Sequence, residues 1–162
     1  MPVRARGARA SAALLAPLTL VGCGGPVELG APPELPRADA AACADLLAAL
    51  PDTLGDLERR DVEPAAARGA AWGDPAVVLT CGVGVPEGFD AFSPCEEADG
   101  VGWYAAPVAA YEDPTADVVL TTVTAEPRLR LEVPGSQRPP AGYLSRLAPL
   151  VREHLRATGP CV

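Results

Sequence analysis

Five cysteines and one histidine are the residues of this 162-residue chain whose chemistry is most readily named. Cys23 stands apart, because it closes Leu20-Val21-Gly22-Cys23. That order has the pattern of the bacterial lipobox, in which the cysteine thiol receives a diacylglyceryl group and the residue becomes the new N-terminus. The other four, Cys43, Cys81, Cys95 and Cys161, are an even number in a chain that reads as exported, which points to two disulfides. Three pairings are open, and Cys43 with Cys81 and Cys95 with Cys161 is favoured. Each closed loop of that span contributes roughly 4 kcal/mol in the chain-entropy account. A metal or redox centre fits less well, since no two cysteines have C-x-x-C spacing and His154 is the sole histidine.

His154 is the one side chain with an ordinary pKa near neutrality, but it stands among Arg152, Glu153 and Arg156 with no nucleophile or orienting partner in view. Ser11, Ser93, Ser136 and Ser145 sit in no catalytic context, and there is no Gly-x-Ser-x-Gly. Asp113, Thr115 and Asp117 alternate like the start of a calcium loop, yet the turn glycine and the distal glutamate are missing. Glu96, Glu97 and Asp99 could pair as glycosidase carboxylates. Neighbours on a strand point to opposite faces, however, so Glu96 and Glu97 cannot serve one substrate together. The sequence therefore calls for no metal and no cofactor. Trp72, Trp103 and Tyr104 are rigid amphipathic groups suited to recognition. Trp103 is read as core, while Trp72 is kept as a candidate recognition surface.

Residues 1–22 read as a signal peptide. Arg4, Arg6 and Arg9 precede a twelve-residue apolar run, Ala10 to Val21, which is shorter than the ~20 residues a spanning helix needs. Residues 23–37 follow as a lipidated, Pro/Gly-rich tether, able to hold a domain up to ~40 Å from a membrane if extended. Without its leader the chain keeps about ten basic side chains against 21 acidic ones, a charge near −11. That excludes nucleic acid as a natural partner. It also leaves membrane affinity to the acyl chains, each buried methylene contributing ~0.8 kcal/mol. Lys, Asn and Ile are absent and Ala, Arg, Gly and Pro abundant, as in the coding bias of a GC-rich genome.

Residues 38–162 are expected to form a single domain. Cys43, Leu46, Leu47 and Leu50 recur at helical spacing after an Asp39 N-cap, predicting a helix over 40–50. Leu57 to Val62 suits an edge strand, Ala65 to Ala71 is ambiguous, and Trp72-Gly73-Asp74-Pro75 signals a turn. Ala76 to Cys81 is the clearest strand and is expected to be central. In the loop 82–94, Phe89 or Phe92 could fold back over the sheet. Asp99-Gly100 between two short strands signals a type I′ hairpin. Asp117 to Thr124 and Arg128 to Val133 make a second hairpin, the latter alternating charged and apolar residues as a strand with one wet face should. Leu144, Leu147, Val151 and Leu155 mark a last helix, which Pro149 should kink or split. The pattern is α+β: a mostly antiparallel sheet of five or six strands, with an N-terminal and a C-terminal helix packed on one face.

The run Ala42-Cys43-Ala-Asp-Leu-Leu-Ala-Ala-Leu-Pro51, then Ala71-Trp72-Gly73-Asp74-Pro75, Val78-Leu-Thr-Cys81-Gly82-Val83, Asp99-Gly100-Val101-Gly102-Trp103 and the Thr121-Thr122 strand are collinear with one family. Over residues 38–162 they resemble the actinobacterial secreted and lipoprotein family catalogued as domain of unknown function 3515. The resemblance implies a high-GC Gram-positive host and a cell-envelope location, and carries no catalytic residue over. The expected protein is a lipoprotein on the outer face of the cell membrane, held there by its diacylglyceryl anchor. The expected role is that of a non-enzymatic binding or scaffold module for an envelope protein or glycan. Two alternatives stay open. A hydrolase or wall-modifying enzyme would place His154 or two facing carboxylates in a pocket, and a small-ligand carrier would hold an apolar cavity of several hundred Å³.

Overall fold

A computed structural model describes residue 1 and residues 25–31 and 34–161. Residues 2–24, which hold Cys23 and nearly all of the expected signal peptide, lie outside the described residues. In chain order the elements are β1 (Val27–Glu28), α1 (Arg37–Ala49), β2 (Thr53–Leu54), β3 (Leu57–Arg60), β4 (Val62–Glu63), β5 (Gly69–Trp72), β6 (Val77–Val83) and β7 (Glu96–Ala98). They continue with β8 (Val101–Ala106), α2 (Val108–Glu112), β9 (Val118–Thr122), β10 (Ala125–Glu126), β11 (Arg128–Val133), α3 (Ala141–His154) and β12 (Arg156–Ala157). Eight strands form one sheet in the order β2-β3-β5-β6-β11-β9-β8-β7. Every neighbouring pair in it is antiparallel. Two small pairs flank it, β1 parallel with β4 and β10 antiparallel with β12.

Period-two alternation divides this sheet into a dry and a wet face. Register aligns Ala70, Leu79, Leu131, Leu120 and Ala105 across β5, β6, β11, β9 and β8, and all five are buried. Over this face lie α1, through Cys43 and Leu46, and α3, through Leu144, Leu147, Ala148 and Val151, in one continuous core. The two helices also touch each other. Cys43 on α1 and Cys81 on β6 are paired at disulfide distance, with 5.7 Å between Cα atoms, so the first helix is stapled to the middle of the sheet. Cys95 and Cys161 pair at the same Cα separation and tie the C-terminal tail to the β7 end. Gly102 makes room there, since a Cβ on it would stand 2.7 Å from the Cys95 sulfur.

Five expectations need correction. The sheet has eight strands rather than five or six: β2 is two residues long, and β5 is Gly-Ala-Ala-Trp, buried at every position, so neither shows an alternating signal. The charged segment at β3 is not the outermost strand, because β2 pairs along its outer side. The N-cap of α1 is Pro36, with Asp39 in the first turn. Pro149 does not split α3, which runs unbroken from Ala141 to His154. Pro149 and Ser145, whose carbonyl would have been its acceptor, both lie on the exposed side of the helix, so the orphaned oxygen is not buried in the core.

The fifth concerns the tether. Residues 25–31 are docked on the domain, through Val27 N–H to Asp61 O at 2.8 Å and Leu29 N–H to Glu63 O at 2.7 Å. Arg60 Nη2 adds a hydrogen bond to Gly25 O at 2.7 Å. Leu29 fills the space where a Cβ on Gly69 would stand, and Leu35 packs against the core. The β7–β8 turn agrees with expectation, with φ of 48° at Asp99 and 81° at Gly100, the double positive value of a type I′ turn.

Candidate functional site

Helices cover the dry face, and the wet face is left open. Its side chains fall in two cross-strand rows. The first runs Gly69, Thr80, Arg130, Thr121, Tyr104, and the second Ala71, Val78, Glu132, Val119, Ala106. Directly opposed residues stand ~5 Å apart, so Arg130 has a threonine on either side. The first row is a line of three hydroxyls and one guanidinium with no acid in it. Glu132 in the second row accepts from Arg130 Nη2 at 2.9 Å.

Three segments turn this open face into a cleft. The β6–β7 connection rises along one side, with Phe89 edge-on to Tyr104 at 5.3 Å between ring centroids. Pro107 and Val108 at the start of α2 add to its walls, and the docked stretch 28–31 lines the second recess with Arg68. Two recesses result, open to solvent and sharing Val83, Gly84 and Arg130. The larger, of about 640 Å³, has Tyr104, Thr121, Val119 and Ala106 as its floor and Val83–Glu87 with Pro107 and Val108 as its walls. Val85 and Val108 stand on its rim, 61% and 42% exposed. The second, of about 460 Å³, is polar and includes Arg68, Thr80, Glu28 and Glu132. Arg68 buries Nε and Nη2 with no hydrogen-bond partner among the described residues, an expensive arrangement for a charged group.

The residues singled out by sequence are mostly elsewhere. Trp72 is not a recognition surface: it is fully buried, donates from Nε1 to Pro51 O at 3.1 Å and is capped by the Arg59 guanidinium 5.7 Å from its ring. In a domain with two tryptophans and two phenylalanines, the ring is needed as a core plug. Trp103 is likewise buried, whereas Tyr104, one residue on, faces the cleft floor. Phe89 folds back onto the sheet as one option had it, and Phe92 is 96% exposed.

His154 ends α3, on the covered side of the sheet. Glu96 and Glu97 are exposed, on consecutive positions of β7. Asp113 Oδ1 accepts from Thr115 N and Oγ1, both at 2.8 Å, and the Thr115 N–H is the main reason its pKa is lowered. Asp117 Oδ1 accepts from Gly135 N. These carboxylates therefore brace a turn, and among the described residues no group of three metal-binding side chains gathers.

Sequence reasoning missed Arg68, Thr80, Arg130 and Thr121 as a set. The alternation in β11 marked a wet face but could not show that distant segments wall it in. A family model described as a protein of unknown function, DUF3515, matches residues 15–159. The chain belongs to the DUF3515 family. No curated protein and no solved structure matches it. The match spans both halves of the cleft, so in this DUF3515 domain the covered face, the open face and their walls are parts of one family unit. No helix among the described residues is long and apolar enough to cross a membrane.

Proposed function

We propose that this DUF3515 chain is a lipid-anchored binding module of the cell envelope. The leader exports it, Cys23 takes the diacylglyceryl group, and the cleft on the open sheet face holds a small ligand. One observation supports the binding role above the rest: a recess of about 640 Å³, largely apolar in its walls, opens beside a row of hydrogen-bond donors. That volume lies within the range of small-molecule sites, and a few placed polar groups on apolar walls is their usual make-up. The enzyme reading draws less support. Glu132 is ion-paired to Arg130, His154 stands outside both recesses, and Glu28 and Glu87 line different ones.

The anchor is tested by Cys23→Ala and cell fractionation. The variant should appear in the medium or accumulate as unprocessed precursor, and unchanged processing with membrane retention overturns lipidation. The binding role is tested by native mass spectrometry of full-length protein extracted from its own cells. A small-molecule adduct should be present in the wild type and lost in Val119→Asp; a bare protein mass in both counts against it.

A further inference from the structure

The cleft combines an apolar compartment, a polar compartment and a guanidinium where they meet, and that combination specifies its ligand. We infer that the site takes a single-chain amphiphilic carboxylate, its hydrocarbon chain in the larger recess and its carboxylate on the donor row at Arg130. This rests on the binding role proposed above and names the chemical class that it serves.

The chain end follows from the walls. Val83, Val85, Pro86, Pro107, Val108 and Val119 line the larger recess, and Val85 and Val108 are exposed while doing so. Apolar side chains left in water on a concave surface mark a contact surface for apolar matter. The head end follows from the donors. Arg130 lines both recesses, flanked by Thr80 and Thr121 on adjacent strands. Glu132 engages its Nη2, and a guanidinium has five N–H donors, so capacity remains for a second carboxylate in the bidentate manner.

Arg68 supplies the charge argument. In the polar recess Arg130 and Glu132 neutralise each other, Glu28 is exposed and forms no ion pair with Arg68, and two Arg68 nitrogens are buried without acceptors. A ligand carboxylate gives Arg68 an anionic partner, in a recess whose own charges, Arg68 and Arg130 against Glu28 and Glu132, sum to zero. With no net positive charge in the recess, a phosphate dianion beside Glu28 and Glu132 would cost more than a singly charged group, so the head group is a carboxylate.

The test is equilibrium dialysis with the full chain carrying Cys23→Ala, so that no acyl group of its own competes. The probes are decanoate, decanol, decyl phosphate and acetate. Decanoate should bind at least tenfold more tightly than each of the other three. Arg130→Gln should weaken decanoate at least tenfold and leave decanol unchanged, and Arg68→Gln should act in the same direction. Val85→Asp, at the exposed rim, should weaken decanoate with an unchanged thermal melt. Equal binding of decanol removes the head-group assignment, equal binding of acetate removes the chain assignment, and tighter decyl phosphate replaces the carboxylate. Failure of every probe overturns the inference. If an adduct of another chemical class still accompanies protein taken from cells, the binding role survives that failure; if none does, both fall.

Discussion

Thr122 shows how much a single hydroxyl does in this domain. At the irregularity between Arg128 and Leu129 the β6–β11 register shifts, and the Leu129 N–H is taken by Thr122 Oγ1 at 2.9 Å inside the core. Thr122→Val keeps the shape and removes the acceptor, which strands a buried donor and should cost about 1–3 kcal/mol in urea unfolding with disulfides intact. Thr122→Ser keeps the acceptor and should cost about one buried methyl, roughly 0.8 kcal/mol. A Val variant as stable as the wild type would show that the hydroxyl carries nothing. At this scale the sequence was partly legible. Trp103 as a core residue and the Asp99-Gly100 turn could be read from type and neighbours. Trp72 could not, because its Pro51 acceptor lies in the link after α1 and its Arg59 lid on β3, neither of them a neighbour in sequence.

Between elements, the staples matter most. Cys43–Cys81 joins α1 to β6 across 38 residues, and Cys95–Cys161 joins the β7 end to the tail across 66. Thiol counting by mass spectrometry on extracellularly produced protein should find no free thiol among the four. The double variant Cys43→Ser with Cys81→Ser should lose about 2–5 kcal/mol. Two titratable thiols in the wild type would contradict the pairing. The two helices packed on the sheet, α1 and α3, and six strands of that sheet were legible, because amphipathic spacing and β-branched runs are local signals, whereas α2 fell in a stretch read as a loop. Of the sheet's eight strands β2 and β5 were not: two residues give no period, and a Gly-Ala-Ala-Trp segment buried throughout shows no alternation. The walls of the cleft were hidden for a related reason. Pro107 and Val108, the stretch 83–87 and the strap 28–31 meet only through the sheet between them, so no spacing along the chain encodes their meeting.

For the molecule as a whole, the acidic balance and the covered and open faces describe a body with one side committed to its own core and one side available. The docking of residues 25–31 changes how that body would stand on a membrane. A stand-off of ~40 Å assumed a loose tether through residue 37. With Gly25 held by Arg60 and β1 paired to β4, two residue steps separate Cys23 from the folded domain, a reach of at most about 7 Å. Under the proposed acylation the domain rests close to the lipid surface, and the strap that lines the polar recess is the same strap that leads to the anchor. A shaving protease needs a length of accessible extended chain to cut. Intact cells treated with one should keep this domain, whereas an inserted Gly/Ser spacer between Gly24 and Gly25 should let it be clipped off whole. Equal release of both would mean that the strap unzips from β4 in the living envelope. A leash this short turns position into orientation: the protein cannot roam in search of its ligand, so the ligand has to come to the bilayer's edge.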